Sequence, residues 1–437
     1  MGAVTVDQAK LVMNVFCTVF EDNLVTGEAV EWNVHSGEMD DRNKLTVVEQ
    51  IGPRYKITRT QNGVKDLSAG TDGTVFGSEQ FTIDGTFNAN MGWSDFAAIQ
   101  SIGDARKSKA LLGAATSLAE QIDAYILGLA TNCTNNWTGT PGNNLTDSVQ
   151  VTAGYTRLKE EGVGDNELRA ILNYTDKMLL GDQVIKLPGI EPMAKETYRQ
   201  GFSGEINGLP TMFTNQLPTI TVGTRVANAA AVNGAAQNVN YADVAISTQN
   251  GYFLTQTMAV DGLAAGATIK NGEVFSIPGV YAYDNRKQAL VSPARLQQFT
   301  VVGDFTASGG GAIAALRFFP AMVVPGSGAG DNVNINTAEA TVSAAPADNA
   351  VLTFLGAAST TLAPRLIIQK EAFVVDTIPL IMPATGIAMR KKLSNIPVTV
   401  RMWQWSDFYT GAHSVRWDVA MNGNIRERRR AVRINGT

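Results

Sequence analysis

Between Thr255 and Phe305 the chain reads TQTMAVDGLAAGATIKNGEVFSIPGVYAYDNRKQALVSPARLQQFTVVGDF, a β-patterned block punctuated by turns. Val260, Ile269, Val274, Phe275, Ile277, Val280 and Tyr281 are the β-branched and aromatic types that suit a pleated, half-buried surface. Asp261-Gly262, Asn271-Gly272 and Asp284-Asn285 stand where hairpins are expected to turn. The block therefore predicts a compact insert of short antiparallel strands. It holds no His, no Cys and no clustered acids, which points to a structural or contact role before a chemical one.

The flanks are patterned differently. In Leu11 to Phe20, Leu11, Val12, Val15, Phe16 and Val19 recur at helical spacing, and Thr5 with Gln8 fits a capping box. Residues 6–25 are expected to form an amphipathic arm that Gly27 can end. No small-residue cleavage site follows it, and Val6 stands where a myristoylation pattern requires Ser or Thr. From Trp32 to Thr60 polarity rises, and LTVVEQIGPRYKITRT largely alternates, with Arg54, Lys56 and Thr58 expected on one side and Tyr55 and Ile57 on the other. After Asn62-Gly63 a second extended run, Phe81 to Asn88, completes a long, poorly hydrophobic tongue. Such a tongue buries little of itself and has to lean on something else, plausibly another subunit.

The strongest helical pattern runs from about Ser94 to Thr131, carried by Phe96, Ile99, Leu111, Ala114, Leu118, Ile122, Tyr125, Ile126 and Leu129, with a bend or break expected near Gly103. Beyond it, a helix over Val149 to Glu161 ending at Gly162, a strand over Leu168 to Asn173, and a short helix capped by Thr175 or Asp176 alternate as in a mixed α/β region. Gly208-Leu209-Pro210 suggests a hairpin, and LIIQ, AFVVDTIPLIM and VTVRMWQW close the chain as apolar strands. The fold class expected is α+β. Its parts are an N-terminal arm (1–35), a tongue (36–92), a spine helix (93–140), a mixed α/β part (141–222), an inserted β-barrel (223–355) and C-terminal strands (356–437).

Composition narrows the function classes. With 437 residues, 44% hydrophobic and 17% charged, the chain has material for a sizeable core. A net charge of −5 offers nucleic acid no general electrostatic invitation. No apolar run reaches the roughly 20 residues that cross a bilayer, so no membrane partner is expected. Cys17 and Cys133 belong to no metal-ligand spacing and read as inert thiols. His35 and His413 sit in polar, loop-like settings far apart, where solvation or hydrogen bonding explains them. Glu38 with Asp40, and Glu160 with Glu161, are available as acid pairs, but adjacent acids on loops and helix ends ordinarily are solvated charge. The glycines of PGSGAGDN at 325–332 lack the following helix and Lys of a phosphate cradle. No catalytic, cofactor-binding or metal-binding residue is nominated, and no enzyme is expected.

Several segments in order resemble the major capsid (coat) proteins of short-tailed bacteriophages. They are Gly52-Pro53-Arg54-Tyr55, SLAEQIDAYI at 117–126, GEINGLPTMFTNQLPT at 204–219, VDGLAAGATIKNGEVFSIPGVYAYD at 260–284, KEAFVV at 370–375 and RMWQWSDFYTGAHSVRWDVAMNGNIRERRRAVRI at 401–434. None is a catalytic signature, and the specificity lies in their order and spacing. The resemblance implies the tailed-phage capsid fold with an inserted β domain, and a subunit that closes into an icosahedral shell of hexamers and pentamers. It implies assembly in the host bacterial cytoplasm on a scaffolding protein around a portal, with double-stranded DNA as non-specific contents and the virion shell as the final location. RERRRAVRI is more basic than that family leads one to expect, and NAAAVNGAAQNVNY at 228–241 leaves the insert's contact loop unassigned.

Subunit contacts are expected at Asp40, Asp41, Arg42, Lys44, Arg54, Lys56, Arg426, Arg428, Arg429 and Arg430. In a strand Arg426, Arg428 and Arg430 would share one face, as a row for a neighbour's carboxylates or for phosphate. Asp261, Asn271 and Asp284 could reach a neighbour, with local turn chemistry as the simpler role. Two other readings stand beside the phage shell: a cargo-enclosing compartment shell of the same ancestry, and a surface carbohydrate-binding β protein. The second leaves the long helix without a purpose.

Overall fold

Apolar side chains at helical spacing put one face of helix α1, Val6–Asn23, into the interior: Val12, Phe16 and Phe20 are fully buried. The computed structural model describes residues 6–35, 37, 45–51, 77–83, 85–92, 102–186, 204–226, 230–239, 255–284, 287, 289–325, 340–406 and 413–437. α1 ends at Asn23, before Gly27, and a single turn, α2 at Thr26–Ala29, follows. The buried carboxylate of Asp123 accepts from the Val25 and Thr26 N–H groups at 3.0 and 2.9 Å and from the Thr26 hydroxyl at 2.6 Å, so it takes up orphan donors of that turn. Burial pushes the Asp123 pKa up, against the pull of those hydrogen bonds.

The spine consists of α3, Ile102–Lys107, and α4, Lys109–Cys133, which alone spans about 37 Å at 1.5 Å per residue. Among the described residues the break falls at Ser108, while Gly103 is the second residue of α3 and the segment before it lies outside the described residues. Ser108 takes extended angles (φ −66°, ψ 105°), and its hydroxyl accepts from Leu111 N–H, starting a new helix. The expected start at Ser94 and Asp95, like Thr5 of the capping box, lies outside the described residues.

Helices α1 and α4 cover one face of a six-stranded sheet. Its order is Glu31–Val34, Phe373–Thr377, His413–Ile425, Thr399–Ser406, Ile387–Lys392, with Thr86–Gly92 paired to His413–Ile425. Phe16 stacks on the fully buried Trp417 at 4.6 Å between centroids. His413 thus begins a strand rather than sitting in a loop, because its backbone pairs with Ser406.

A second six-stranded sheet runs Asn136–Thr138, Ala431–Ile434, Arg365–Gln369, Leu168–Leu172, Leu209–Phe213, Glu205–Ile206. Helix α5, Ser148–Glu160, packs on it with a complete capping box from Asp147 and Gln150. A Cβ on Gly154 would stand 2.4 Å from Ile434 Cγ2, so glycine permits this close approach. Helix α6, Tyr174–Lys186, is longer than expected and is capped by Asn173, whose side chain accepts from Thr175 N–H at 2.6 Å. Asp176 reaches back to Asn173 N–H.

The inserted region forms a third antiparallel sheet, in the order Ala231–Val232, Gln256–Asp261, Ile313–Phe319, Leu296–Val301, Val274–Tyr281, Thr353–Phe354. A bridge between Ala231 and Val351 brings its two edges together. Inside, Phe275, Phe299 and Phe318 meet pairwise at 5.3–5.8 Å, joined by Phe354. Two of the three expected hairpins are corrected. Gln256–Asp261 pairs with Ile313–Phe319, Thr268–Ile269 with Phe305–Thr306, and Val274–Tyr281 with Leu296–Val301, so the strands flanking Asp261-Gly262 and Asn271-Gly272 are not partners. A turn dipeptide fixes only local φ and ψ, while burial of the Phe cluster chooses the partners. Beside the Asp284-Asn285 position Tyr283–Asp284 does pair with Ala289–Leu290.

Strands Leu45–Ile51 and Gly77–Ile83 pair antiparallel in unbroken register from Leu45↔Ile83 to Ile51↔Gly77, as a two-stranded sheet of their own. This ribbon falls within the segment expected to form a tongue, of which 52–76 lies outside the described residues.

Candidate functional site

The most elaborate polar construction in the molecule is the joint between the inserted sheet and the second sheet. Three side chains build it. Gln298, on an inserted strand, treats Trp137 as a strand neighbour: Trp137 N–H donates to its Oε1 at 2.8 Å and its Nε2 donates to Trp137 C=O at 3.0 Å. Arg157 of α5 donates to the same Gln298 Oε1 at 3.1 Å and to Asn136 Oδ1 at 3.1 Å. Arg433, wholly buried, donates to the carbonyls of Gly272 and Thr134 and to the Thr300 hydroxyl, with Trp137 4.7 Å from its guanidinium carbon. Gly272 has φ +85°, and a Cβ there would lie 3.0 Å from Asn132 Oδ1 at the end of α4, so the turn residue serves the joint.

Charge reinforces the same seam. Arg295 donates to Glu160 at 3.0 Å and to Glu161 at 2.6 Å. The acid pair expected to be solvated is a clamp on the insert; Glu161 is only 5% exposed at its side chain. Burial first, and then the Arg295 charge, pull the Arg157 guanidinium down to about 9, against the opposing pull of Glu161 and Glu160.

Two further ion pairs are fully enclosed. Arg365 holds Asp176 through two bonds of 2.6 and 2.8 Å, fastening α6 to the central strand of the second sheet. Arg225 donates to Glu273 at 2.6 Å and lies 3.8 Å over the Phe354 ring, at the point where the chain enters the insert. Burial lowers the Arg225 pKa, against Glu273. The Glu273 carboxylate also accepts from the N–H groups of Gly223 and Lys270. The further hydrogen bonds gathered by the Asp176 and Glu273 carboxylates offset part of the cost of burying charge, while the Arg225 Nη1 and Nη2, without hydrogen-bond partners among the described residues, lie over the Phe354 ring.

The expected contact residues divide into two groups. Asp40, Asp41, Arg42, Lys44, Arg54 and Lys56 lie outside the described residues. The basic end does not form an arginine row: Arg428–Arg430 is a 3-10 turn, which rotates the three side chains apart. Arg426 pairs with Glu31 at 2.8 Å, Arg429 with Glu427, and Arg430 with both Glu427 and Glu371, while Arg428 lies over Phe319 of the insert at 4.6 Å. The bonds described for these arginines are therefore internal. Asn271 and Asp304 tie their own turn, through Asn271 N–H to Asp304 and Gly303 N–H to Asn271.

His35 bonds Asp376 at 2.6 Å, linking the end of the first strand to its neighbour Phe373–Thr377. Cys17 is buried, and burial pushes its thiol up to about 12, which leaves it protonated and inert at neutral pH. Among the described residues no group of three His, Cys, Asp or Glu side chains is placed to hold a metal. None of their helices is long and apolar enough to cross a membrane. Sequence reasoning missed Arg433, Arg365, Arg225 and Gln298. Their signal was a lone polar residue inside an apolar run, as in AVRI and PRLII.

No family model matches the chain, and no curated protein matches it. Solved structures similar to it include the capsid of cyanophage P-SCSP1u, at 9% identity over 94% of this chain and 86% of that one, with a TM-score of 0.40. The capsid of Ralstonia phage GP4 is 7% identical over 96% and 91% at 0.40. A virus-like particle from Pyrococcus furiosus is 6% identical over 97% and 96% at 0.37.

Proposed function

We propose that the chain is a structural shell subunit, the major capsid protein of a tailed phage, self-assembling into an icosahedral head around double-stranded DNA. The carrying observation is the ribbon of Leu45–Ile51 and Gly77–Ile83, a two-stranded sheet that pairs with no third strand among the described residues and meets the body at one end, through Ile83 and the Asn422 side chain's bond to Thr82 C=O. An isolated pair of strands is marginal in water, so its stability calls for a surface to lie on, and another subunit supplies one. The order of the capsid-like segments supports the same reading, as does a molecule whose buried charges fasten its parts together. Scaffolding and portal proteins are the partners this reading carries, with assembly in the bacterial cytoplasm.

Negative-stain microscopy of the purified chain, alone and coexpressed with a scaffolding protein from the same genome, tests it. Closed particles of uniform diameter are expected. Monomers under every condition would sink the proposal.

A further inference from the structure

The margins of the sheets are guarded in different ways. Ile387–Lys392, at one margin of the main sheet, carries Arg390, Lys391 and Lys392, charges that discourage a further strand. Glu31–Val34, at another, is only four residues long. Asn136–Thr138 is capped by Gln298, and the two margins of the inserted sheet meet at the Ala231–Val351 bridge. Thr86–Gly92 has none of these devices. It offers seven residues, TFNANMG, without charge or proline, and among the described residues its strand partner is His413–Ile425 alone.

The register tells which backbone groups of this strand point away from the sheet. Met421 N–H donates to Gly85 C=O at 3.1 Å, so Gly85 and Met421 form a hydrogen-bonded pair of the antiparallel ladder. Pairing continues unbroken from Ala420↔Thr86 to Ser414↔Gly92. Alternation along it turns the N–H and C=O groups of Phe87, Ala89 and Met91 inward, and those of Thr86, Asn88, Asn90 and Gly92 outward. The outward groups meet no partner among the described residues. The same four residues are exposed, while Phe87 and Ala89 lean on the main core and Met91 is buried in it.

We propose that this edge pairs with the same edge of a second copy, antiparallel across a two-fold axis at Ala89. The inference rests on the self-assembly reading and names one of its contacts. Only residues with outward groups can form the hydrogen-bonded rungs, and a centre at Ala89 uses all four: Thr86 meets Gly92 of the second copy, and Asn88 meets Asn90. A centre at Asn88 or Asn90 pushes one end of the strand past the other and leaves outward groups without a rung. The side chains agree with the Ala89 register. Asn88 and Asn90 bring amides opposite one another that can exchange hydrogen bonds, Phe87 falls opposite Met91, and the small Ala89 stands at the axis. No like charges meet, because the strand carries none. This self-complementary order is what names the occupant as the chain's own copy. The contact is isologous: it joins copies in pairs and leaves ring formation to other surfaces.

Cysteine linkage in the full-length chain reads the register directly. Non-hydrogen-bonded partners stand about 4.5 Å apart between Cα atoms, within the reach of a disulfide. Ala89→Cys treated with oxidised glutathione should therefore link to itself as a covalent dimer, with the native chain, which keeps Cys17 and Cys133, as the blank. Asn88→Cys should link to Asn90→Cys in a mixture and not to itself. Asn90→Pro added to Ala89→Cys removes only an outward donor, so circular dichroism and thermal unfolding should be unchanged while linkage falls at least about tenfold. If the proline disturbs folding, Asn88→Lys with Asn90→Lys gives the same reading by setting like charges opposite one another. Ala89→Cys that stays monomeric, or that links no faster than a cysteine placed at the exposed Val149, overturns the contact. Linkage of Ala89→Cys to a cysteine within Leu45–Ile51 but not to itself gives the edge to a neighbour's ribbon and also overturns it. Closed particles from a native chain whose Ala89→Cys form never links defeat this inference alone; linked dimers that never close into particles defeat the shell reading alone.

Discussion

Trp417 in the main core and Arg433 in the joint are both wholly buried, yet they hold their surroundings by opposite means. Trp417 stacks on Phe16 among aliphatic neighbours, where contact is non-directional and its strength follows the area removed from water. Arg433 meets fixed acceptors on Gly272, Thr134 and Thr300, and hydrogen bonds of that kind are satisfied in only one placement. Separate apolar clusters fill the body and the inserted sheet; the polar seam decides how one sits on the other.

The contrast can be broken at several points. Trp417→Ala should cost about 3–5 kcal/mol through a large cavity, seen as a lower denaturant midpoint for the body, with the inserted sheet's own transition preserved. Arg433→Met should cost about 2–4 kcal/mol, because buried carbonyls lose their donor; calorimetry should then show the insert and body separating into two transitions. Residues 223–355 expressed alone should give a dispersed amide NMR spectrum, since the Phe cluster lies within them; a random-coil spectrum would remove the idea of an independent unit. Arg295→Ala should cost about 1–3 kcal/mol, because the nearly buried Glu161 carboxylate loses its partner, read as a lower denaturant midpoint.

The smallest effect concerns acid. Lys270 and the Asn271 N–H hold the Asp304 carboxyl below its usual range. A group depressed in the folded state stabilises above the unfolded pKa, about 3.9 for Asp, and that stabilisation is lost as pH falls below it. Asp304→Asn should therefore flatten the loss of stability between roughly pH 5 and 3, measured by thermal unfolding across that range.

Much of the secondary structure was legible because periodicity reports burial directly. The helix of α4, the capped α5 and the strands at 274–281 and 365–369 follow from spacing alone. Pairing was less legible: Asn271-Gly272 announces a turn, but its flanking strands find partners at least fifteen residues away. The contact residues fared differently again. RERRR read as a cationic row until Glu427, Glu371 and Glu31 were brought beside it, two of them from other strands and turns. Glu160 and Glu161 looked like solvent-facing charge until Arg295 arrived from the insert.

By itself the sequence determined an α+β chain with a long helix, a tongue and a β insert, without catalytic signatures. Those properties are local, set by side-chain shape and by hydrophobic period along the chain. The tertiary structure alone decided which strands pair, where the spine breaks, and that lone arginines at 225, 365 and 433 close the interior. The reason is physical: a buried charge is tolerated only beside partners that fold from distant parts of the chain, and linear order does not record that meeting.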